Sequence, residues 1–385
     1  MGELKIKKKN IMIIAGEASG DKHGAKLVAA MKEKRDNLFF CGIGGEALQA
    51  AGVKIVVHAS QLCVVGITEV FSKIPSILKG LAAARRLIQT LKPDLLILID
   101  FPDFNLHVAG AAKKNGIPVL YYISPQIWAW RKGRIKKIGT LVDHMAVILP
   151  FEEIYYKKHA ISASFVGHPL LDDNSFGNGS GFRKKPEPVL GILPGSRNSE
   201  IVRHLPVMLD AADLISARNR GLKVILSVAD TVDKNLVNRI LGDYKGNTKF
   251  EIHSKSVDGV IEKSKIVLAA SGTVTLEAAI SGTPMVIIYK ISPLSYMLGK
   301  ALINLENIGL VNLIAGKKIV PELIQGDASP EKIADTVNNM LKDQVKLEAV
   351  EKELLGIKDL LGGPGASRRV AKIALDLAEN CCMER

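Results

Sequence analysis

The chain has 385 residues, enough for two domains at ~150 residues each. Its 47% apolar and 24% charged residues describe a globular protein with sizeable cores and exclude a disordered, collagen-like or coiled-coil chain, while 5% aromatics are too few for a base-stacking platform. Lysine plus arginine (52) exceeds aspartate plus glutamate (39), and the resulting +13 points to an anionic partner: phosphate groups, anionic lipid or nucleic acid.

A basic start (Lys5, Lys7, Lys8, Lys9) leads into the apolar run Ile11–Ala15. The run stops at Gly16-Glu17 with no cleavage pattern behind it, so it reads as a first strand and not as a signal peptide. The turn Gly16-Glu-Ala-Ser-Gly-Asp-Lys-His-Gly24 spaces its glycines four apart, which fits neither the dinucleotide fingerprint nor a Walker loop. Two readings stay open: an ordinary βα turn capped by Ser19 or Asp21, or a ligand loop at a helix entrance. Residues 64–88 carry Ile67, Val70, Phe71, Ile74, Ile77, Leu78, Leu81 and Ile88 at helical spacing, accompanied by Lys73, Lys79, Arg85 and Arg86. Such a helix either lies on an anionic bilayer or turns its stripe to the core.

Leu95–Ile99 is a second strand-like run, and Asp100-Phe-Pro-Asp-Phe-Asn105 follows it. A carboxylate ending an aliphatic strand sits at the mouth of a sheet, where partial burial raises its pKa toward that of a general base. Asp103 reads as the cap of the next helix. Val119–Ile123 is a third run; Met145–Leu149 is a fourth. Between them lie both tryptophans, Trp128 and Trp130, beside Arg131, Lys132, Arg134, Lys136 and Lys137. This cluster suits an anionic lipid interface, or cation–π packing at a domain surface. Continuous rather than alternating apolarity predicts strands buried on both faces of a parallel sheet.

Leu171–Pro188, rich in Gly, Asn, Ser and Pro, reads as a linker. The second half repeats the grammar with Val189–Leu193, Val224–Val228, Ile266–Ala270 and Met285–Tyr289. Both halves are therefore expected to be doubly wound α/β units whose ligands bind beyond the carboxyl ends of the strands, facing each other across a cleft. Gly195, Ser196 and Arg197 before a helix from Glu200 make a phosphate clamp. Ser271, Gly272 and Thr273 open a helix suited to a diphosphate, with Glu277 one turn further in, placed to accept from ribose hydroxyls. Residues 266–289 hold one charge, Glu277, yet their internal Ser-Gly-Thr segments parse as strand, helix and strand, not as a membrane span. After Gly362-Gly-Pro-Gly365 comes a last helix, Ala366–Ala378.

Cysteines 41, 63, 381 and 382 form no metal-ligand or redox spacing, and D-x-D, H-E-x-x-H and G-x-S-x-G are missing from the sequence. A diphosphate leaving group would then be neutralised by Arg197 and helix dipoles, not by a protein-caged metal.

Taken together, Ala15-Gly-Glu-Ala-Ser-Gly-Asp21, Val65-Gly-Ile-Thr-Glu-Val70, Ile99-Asp-Phe-Pro-Asp-Phe-Asn105, Ser124-Pro-Gln-Ile-Trp-Ala-Trp-Arg131, Leu149-Pro-Phe-Glu152, Phe165-Val-Gly-His-Pro169, Leu193-Pro-Gly-Ser-Arg197, Ala270-Ser-Gly-Thr273 and Asn312-Leu-Ile-Ala-Gly316 resemble the lipid-A-disaccharide synthase family of glycosyltransferases. The resemblance implies a GT-B fold with domains at 1–170 and 171–364 and a helix, 365–385, returning to the first. It implies inverting transfer of 2,3-diacylglucosamine from its UDP form to 2,3-diacylglucosamine 1-phosphate, without a cofactor or metal. It assigns Asp100 as base, Glu17, Ser19, Gly20 and Asp21 to the acceptor, and Gly195, Ser196, Arg197, Ser271, Gly272, Thr273, Glu277 and Asn312 to the UDP donor. Val70, Phe71, Ile74, Ile77, Leu78, Trp128, Trp130, Arg131 and Lys132 would meet the anionic inner face of the inner membrane from the cytoplasm. No nucleic-acid partner is expected, and a homodimer is left open. The rivals are a sister UDP-sugar enzyme on the same scaffold and a non-catalytic nucleic-acid binder.

Overall fold

The computed structural model describes residues 8–62, 67–130, 133–172, 188–254, 257–292, 296 and 307–380, with backbone only at 67–73, 129–130 and 380. The chain divides into two compact units: Met1–Asp172 joined by Leu361–Arg385, and Asp173–Leu360.

The first unit is built on seven parallel strands: β1 (Lys9–Ala15), β2 (Leu38–Gly44), β3 (Lys54–His58), β4 (Leu95–Ile99), β5 (Val119–Tyr122), β6 (His144–Val147) and β7 (Ala163–Phe165). Their order is β3-β2-β1-β4-β5-β6-β7. The central strands are buried along both faces, which is why they read as unbroken apolar runs. One face packs on the helices Ile67–Leu91 and Pro102–Lys114; Ala84, Ile88, Val108 and Ala112 join Met12, Leu96 and Leu98 in that core. The other face packs on the helices Ala18–Lys34 and Ala366–Asn380 through Leu27, Met31, Val370 and Ala374.

The final helix belongs to the first unit for a local reason. Asp172 caps it, accepting from the backbone N–H groups of Gly365 (2.6 Å), Ala366 (2.9 Å) and Ser367 (3.0 Å) and from the Ser367 hydroxyl (2.8 Å). These donors hold the Asp172 carboxyl below its ordinary value against the opposing effect of burial. The Arg369 guanidinium bonds the carbonyls of Val166, Gly363 and Pro364.

The second unit has six parallel strands: β8 (Val189–Leu193), β9 (Lys223–Ser227), β10 (Phe250–His253), β11 (Ile266–Ala270), β12 (Met285–Tyr289) and β13 (Glu322–Ile324), in the order β10-β9-β8-β11-β12-β13. Each sheet is thus a doubly wound Rossmann-like sheet, with its strand order reversing between β1 and β4 and between β8 and β11. The stretch 266–289 is strand, helix and strand, as its internal turns predicted. No helix among the described residues is long and apolar enough to cross a membrane. Most of the expected linker, 173–187, lies outside the described residues.

Candidate active site

Ligands of open α/β sheets bind beyond the carboxyl ends of the strands, where the order reverses. In the first unit Ala15 pairs with Ile99, so the Gly16–Asp21 segment and the Asp100–Asn105 segment leave the sheet side by side. Asp100 and Phe101 both take left-handed backbone conformations, at φ +46° and +47°. For two consecutive non-glycine residues this costs on the order of 1–3 kcal/mol each, and such strain persists only where the surroundings impose it. The Tyr121 hydroxyl and the Asn105 amide both donate to the Asp100 carbonyl oxygen, each at 2.6 Å. Phe101 lays its ring over Gly16, where a Cβ would meet it at 2.3 Å, and stacks on Phe104 with centroids 5.2 Å apart.

The glycines four apart have a packing explanation. Added methyl groups at Gly20 and Gly24 would meet Ile99 at 3.4 and 3.0 Å, so one face of the helix Ala18–Lys34 lies close against the end of β4. Neither Ser19 nor Asp21 caps this helix; the cap position is Glu17, and both lie inside the first turn. Asp21 instead caps a different helix, Glu46–Ala50. Its carboxylate accepts from the N–H groups of Gly45 (2.6 Å), Ala47 (2.9 Å) and Leu48 (3.3 Å). It is buried and committed there, which corrects its assignment to the acceptor. Asp103 is not a cap either: the cap position is Phe101, and Asp103 forms an ion pair with Arg134.

Trp128 is also corrected. It is buried, donates from Nε1 to Glu152 at 3.1 Å, and meets Phe151 edge-on at 4.8 Å. An indole needs a partner for its N–H when buried, and a carboxylate supplies one here. Burial pushes the Glu152 carboxyl up to about 7. Trp130, as a side chain, and Arg131 and Lys132 lie outside the described residues, as do the side chains of Val70 and Phe71. In the helix Ile67–Leu91 the stripe divides. Ile77 and Leu81 pack against the core that holds Ala84 and Ile88, whereas Ile74 and Leu78 are 42% and 60% exposed. Lys79, Arg85 and Arg86 are exposed on the same helix.

In the second unit Leu193 pairs with Ala269, so Gly195–Arg197 and Ser271–Thr273 leave adjacent strands together. The first turn is held by Glu200, which accepts from the N–H groups of Ser196 (2.8 Å) and Arg197 (3.2 Å) and from the Arg197 guanidinium (3.2 Å). Gly195, at φ +123°, leaves room for that carboxylate. These two amides are therefore engaged, and the turn offers an anion the Arg197 guanidinium and the Ser196 side chain. Buried His204 ties this turn to the end of β12: Nδ1 lies 3.0 Å from the Pro194 carbonyl and Nε2 accepts from the Lys290 N–H at 3.0 Å. Ser271 and Gly272 precede the helix Val274–Ile280, Thr273 stands at its cap position without a side-chain cap bond, and Glu277 is half-buried within it.

Asn312 departs from the expected donor contact. Its Nδ2 donates to Val320 O (2.9 Å) and Glu322 (2.7 Å), and its Oδ1 accepts from Ile319 N (2.8 Å) and Val320 N (3.1 Å). All four hydrogen-bonding positions of the amide are used inside the protein. Asn312 thus pins the segment leading into β13 to the helix Leu310–Ala315. The sequence did not single out Tyr121, Asn105, His204 or Glu200; for Glu200, its position three residues into a helix after a glycine turn was the available signal.

The chain is similar to known proteins along nearly its whole length. A protein of Syntrophus aciditrophicus (strain SB) named lipid-A-disaccharide synthase is 46% identical over 376 residues, covering 96% of this chain and 98% of the relative. Among solved structures, the UDP-GlcNAc 2-epimerase of Neisseria meningitidis superposes with a TM-score of 0.64 at 12% identity, over 96% of this chain and 100% of that one. The calicheamicin glycosyltransferase CalG4 does so with a TM-score of 0.61 at 14% identity, over 96% and 99%. These two likenesses establish the fold, and it is the GT-B fold. The profile of the lipid-A-disaccharide synthetase family matches residues 11–368, and the chain belongs to that family.

Proposed function

We propose that the chain transfers 2,3-diacylglucosamine from UDP-2,3-diacylglucosamine to the 6-hydroxyl of 2,3-diacylglucosamine 1-phosphate, yielding the β-1,6-linked disaccharide phosphate and UDP. In this reading the Asp100 carboxylate takes the proton of the 6-hydroxyl as its oxygen attacks the anomeric carbon. The bond from that carbon to the UDP oxygen breaks, its electron pair leaves with UDP, and the configuration inverts. A positioned base of this kind contributes ~10²–10⁴-fold. Arg197 meets the charge that develops on the diphosphate, with Ser196 and the Ser271–Thr273 turn beside it and Glu277 toward the ribose. Glu17, Ser19 and the backbone at Gly20 contact the acceptor; Asp21 and Asn312 hold the frames around the two subsites.

The observation that carries this reading is the strained Asp100–Phe101 pair at the reversal point of the first sheet. Strain that the surroundings maintain at such a place belongs to a working site more often than to a scaffold.

Acylated substrates reside in a membrane, and Ile74 and Leu78 with Lys79, Arg85 and Arg86 form a surface suited to its anionic face. Each basic residue there adds ~1 kcal/mol. Val70, Phe71, Trp130, Arg131 and Lys132 belong to the same reading, which places the protein at the cytoplasmic side of the inner membrane.

The test is incubation with both acylated substrates, scored by mass spectrometry, for the parent and Asp100→Ala. The variant should bind UDP as the parent does and form disaccharide at least ~10²-fold more slowly. Parental turnover in the variant would remove Asp100 from its role, and consumption of the UDP-sugar without acceptor would mark an epimerase instead.

A further inference from the structure

We propose that Tyr121 and Asn105 are positioning residues that hold the Asp100 carboxylate in its reactive placement by gripping the Asp100 main-chain carbonyl from two sides. The proposal rests on the reading of Asp100 as the base.

Both side chains are fully buried, and they come from different elements: Tyr121 from β5, Asn105 from the first turns of the helix Pro102–Lys114. The Tyr121 hydroxyl donates to the Asp100 carbonyl at 2.6 Å, and Asn105 Nδ2 donates to the same oxygen at 2.6 Å. Asn105 Nδ2 also reaches the Ile99 carbonyl at 3.2 Å. The Asp100 N–H reaches the Tyr122 carbonyl at 3.3 Å. The carbonyl is thus held from two sides in a turn where Asp100 takes φ +46°.

The Asn105 oxygen makes the case that this grip is not mere packing. Oδ1 is buried and has no hydrogen-bond partner among the described residues. A buried acceptor left unmade is a standing cost, and the large majority of buried polar atoms avoid it. An amide is retained here because its donor side serves the Asp100 turn. Tyr121 is suited to the same task. Burial, followed by the charge of Asp100, pushes its phenol well above the ordinary range, so it stays a donor at every working pH.

The experiment uses the full chain with both substrates. Tyr121→Phe removes one oxygen and keeps the ring that fills the core. Its kcat should fall about 10²-fold, the scale of a roughly 1 Å misplacement at a reacting group. Its donor KM should stay within about twofold, because the donor contacts are elsewhere. Asn105→Ser should show the same split and carries the test alone if Tyr121→Phe does not accumulate as folded protein. The decisive arm is the double variant Tyr121→Phe, Asp100→Ala. A group that acts through Asp100 adds nothing once that carboxylate is gone, so the double variant should be no slower than Asp100→Ala. A folded Tyr121→Phe with parental kcat, or losses that multiply in the double variant, would overturn the proposal. A lowered melting temperature at unchanged kcat would do so as well. Asp100→Ala at parental turnover would instead sink the functional reading, and it is seen in that single variant.

Discussion

The aromatic ring of Phe101 rests on the main chain of Gly16, so close that a Cβ on residue 16 would meet it at 2.3 Å. The two residues follow adjacent parallel strands, and their contact joins the turn after β1 to the turn that carries Asp100. Gly16→Ala should therefore act on both. Overpacking of this kind costs ~1–3 kcal/mol, and the Phe101 ring beside Asp100 must move to relieve it. The expected outcome is a lower melting temperature together with a fall in kcat larger than the change in donor KM. A variant with normal kcat would separate the Phe101 contact from the chemistry.

The exposed pair Ile74 and Leu78 and their neighbour Ile77 make a paired prediction. Changing Ile74 and Leu78 to serine should leave unfolding within about 0.5 kcal/mol of the parent, as for other exposed positions, and should weaken binding to anionic vesicles. Ile77→Ser removes a side chain that packs against the core and should lower stability by about 1–3 kcal/mol. Vesicle cosedimentation and denaturant unfolding, run on the same preparations, check both halves. Unchanged cosedimentation of the double variant would dismiss this surface as a docking face.

Glu152 should leave its mark on the pH dependence of stability. Its folded carboxyl is raised from 4.5 to about 7, mainly by burial. Between these values the folded state keeps a proton that the unfolded state has released. The stability linked to this group is therefore complete below about 4.5 and is lost as pH rises toward about 7. Buried His168, lowered to about 3 from 6.5, acts in the opposite direction and gains stability as pH rises through that interval. The two effects offset each other between about 4.5 and 6.5, so Glu152 must be isolated by substitution. Relative to the parent, Glu152→Gln should lose less stability per pH unit between about 5 and 7, by on the order of 1 kcal/mol per unit, somewhat under one proton's worth. Equal slopes in the two proteins would show that Glu152 is ionised in the folded state.

Sequence alone carried much of the central architecture. Ile11–Ala15, Leu95–Ile99 and Ile266–Ala270 read as strands because a parallel strand covered on both faces must be apolar throughout. The flanking strands gave no such signal. β10 is half exposed at the edge of the second sheet, and β3 is half exposed at the edge of the first. β2 contains two glycines, and β7 and β13 are only three residues long. Asp100 stands out in the sequence because a lone charge ending an aliphatic run has few structural uses, and its role as base is the proposal made above.

What the sequence by itself determined was local: the runs that become central strands, the turns at their carboxyl ends, and the motifs that mark the family. Tertiary structure decided what each polar side chain in those turns does. Asp21 looks outward in sequence, yet it caps a helix that begins 25 residues later, at Glu46. Trp128 looks like a membrane anchor until Glu152, 24 residues away, takes its N–H in the core. Asn312 looks like a ligand contact until four hydrogen bonds to three neighbours exhaust its amide. The physical reason is the same in each case: a hydrogen-bonding group is committed by whatever the fold brings within about 3 Å, and sequence spacing carries no record of those meetings.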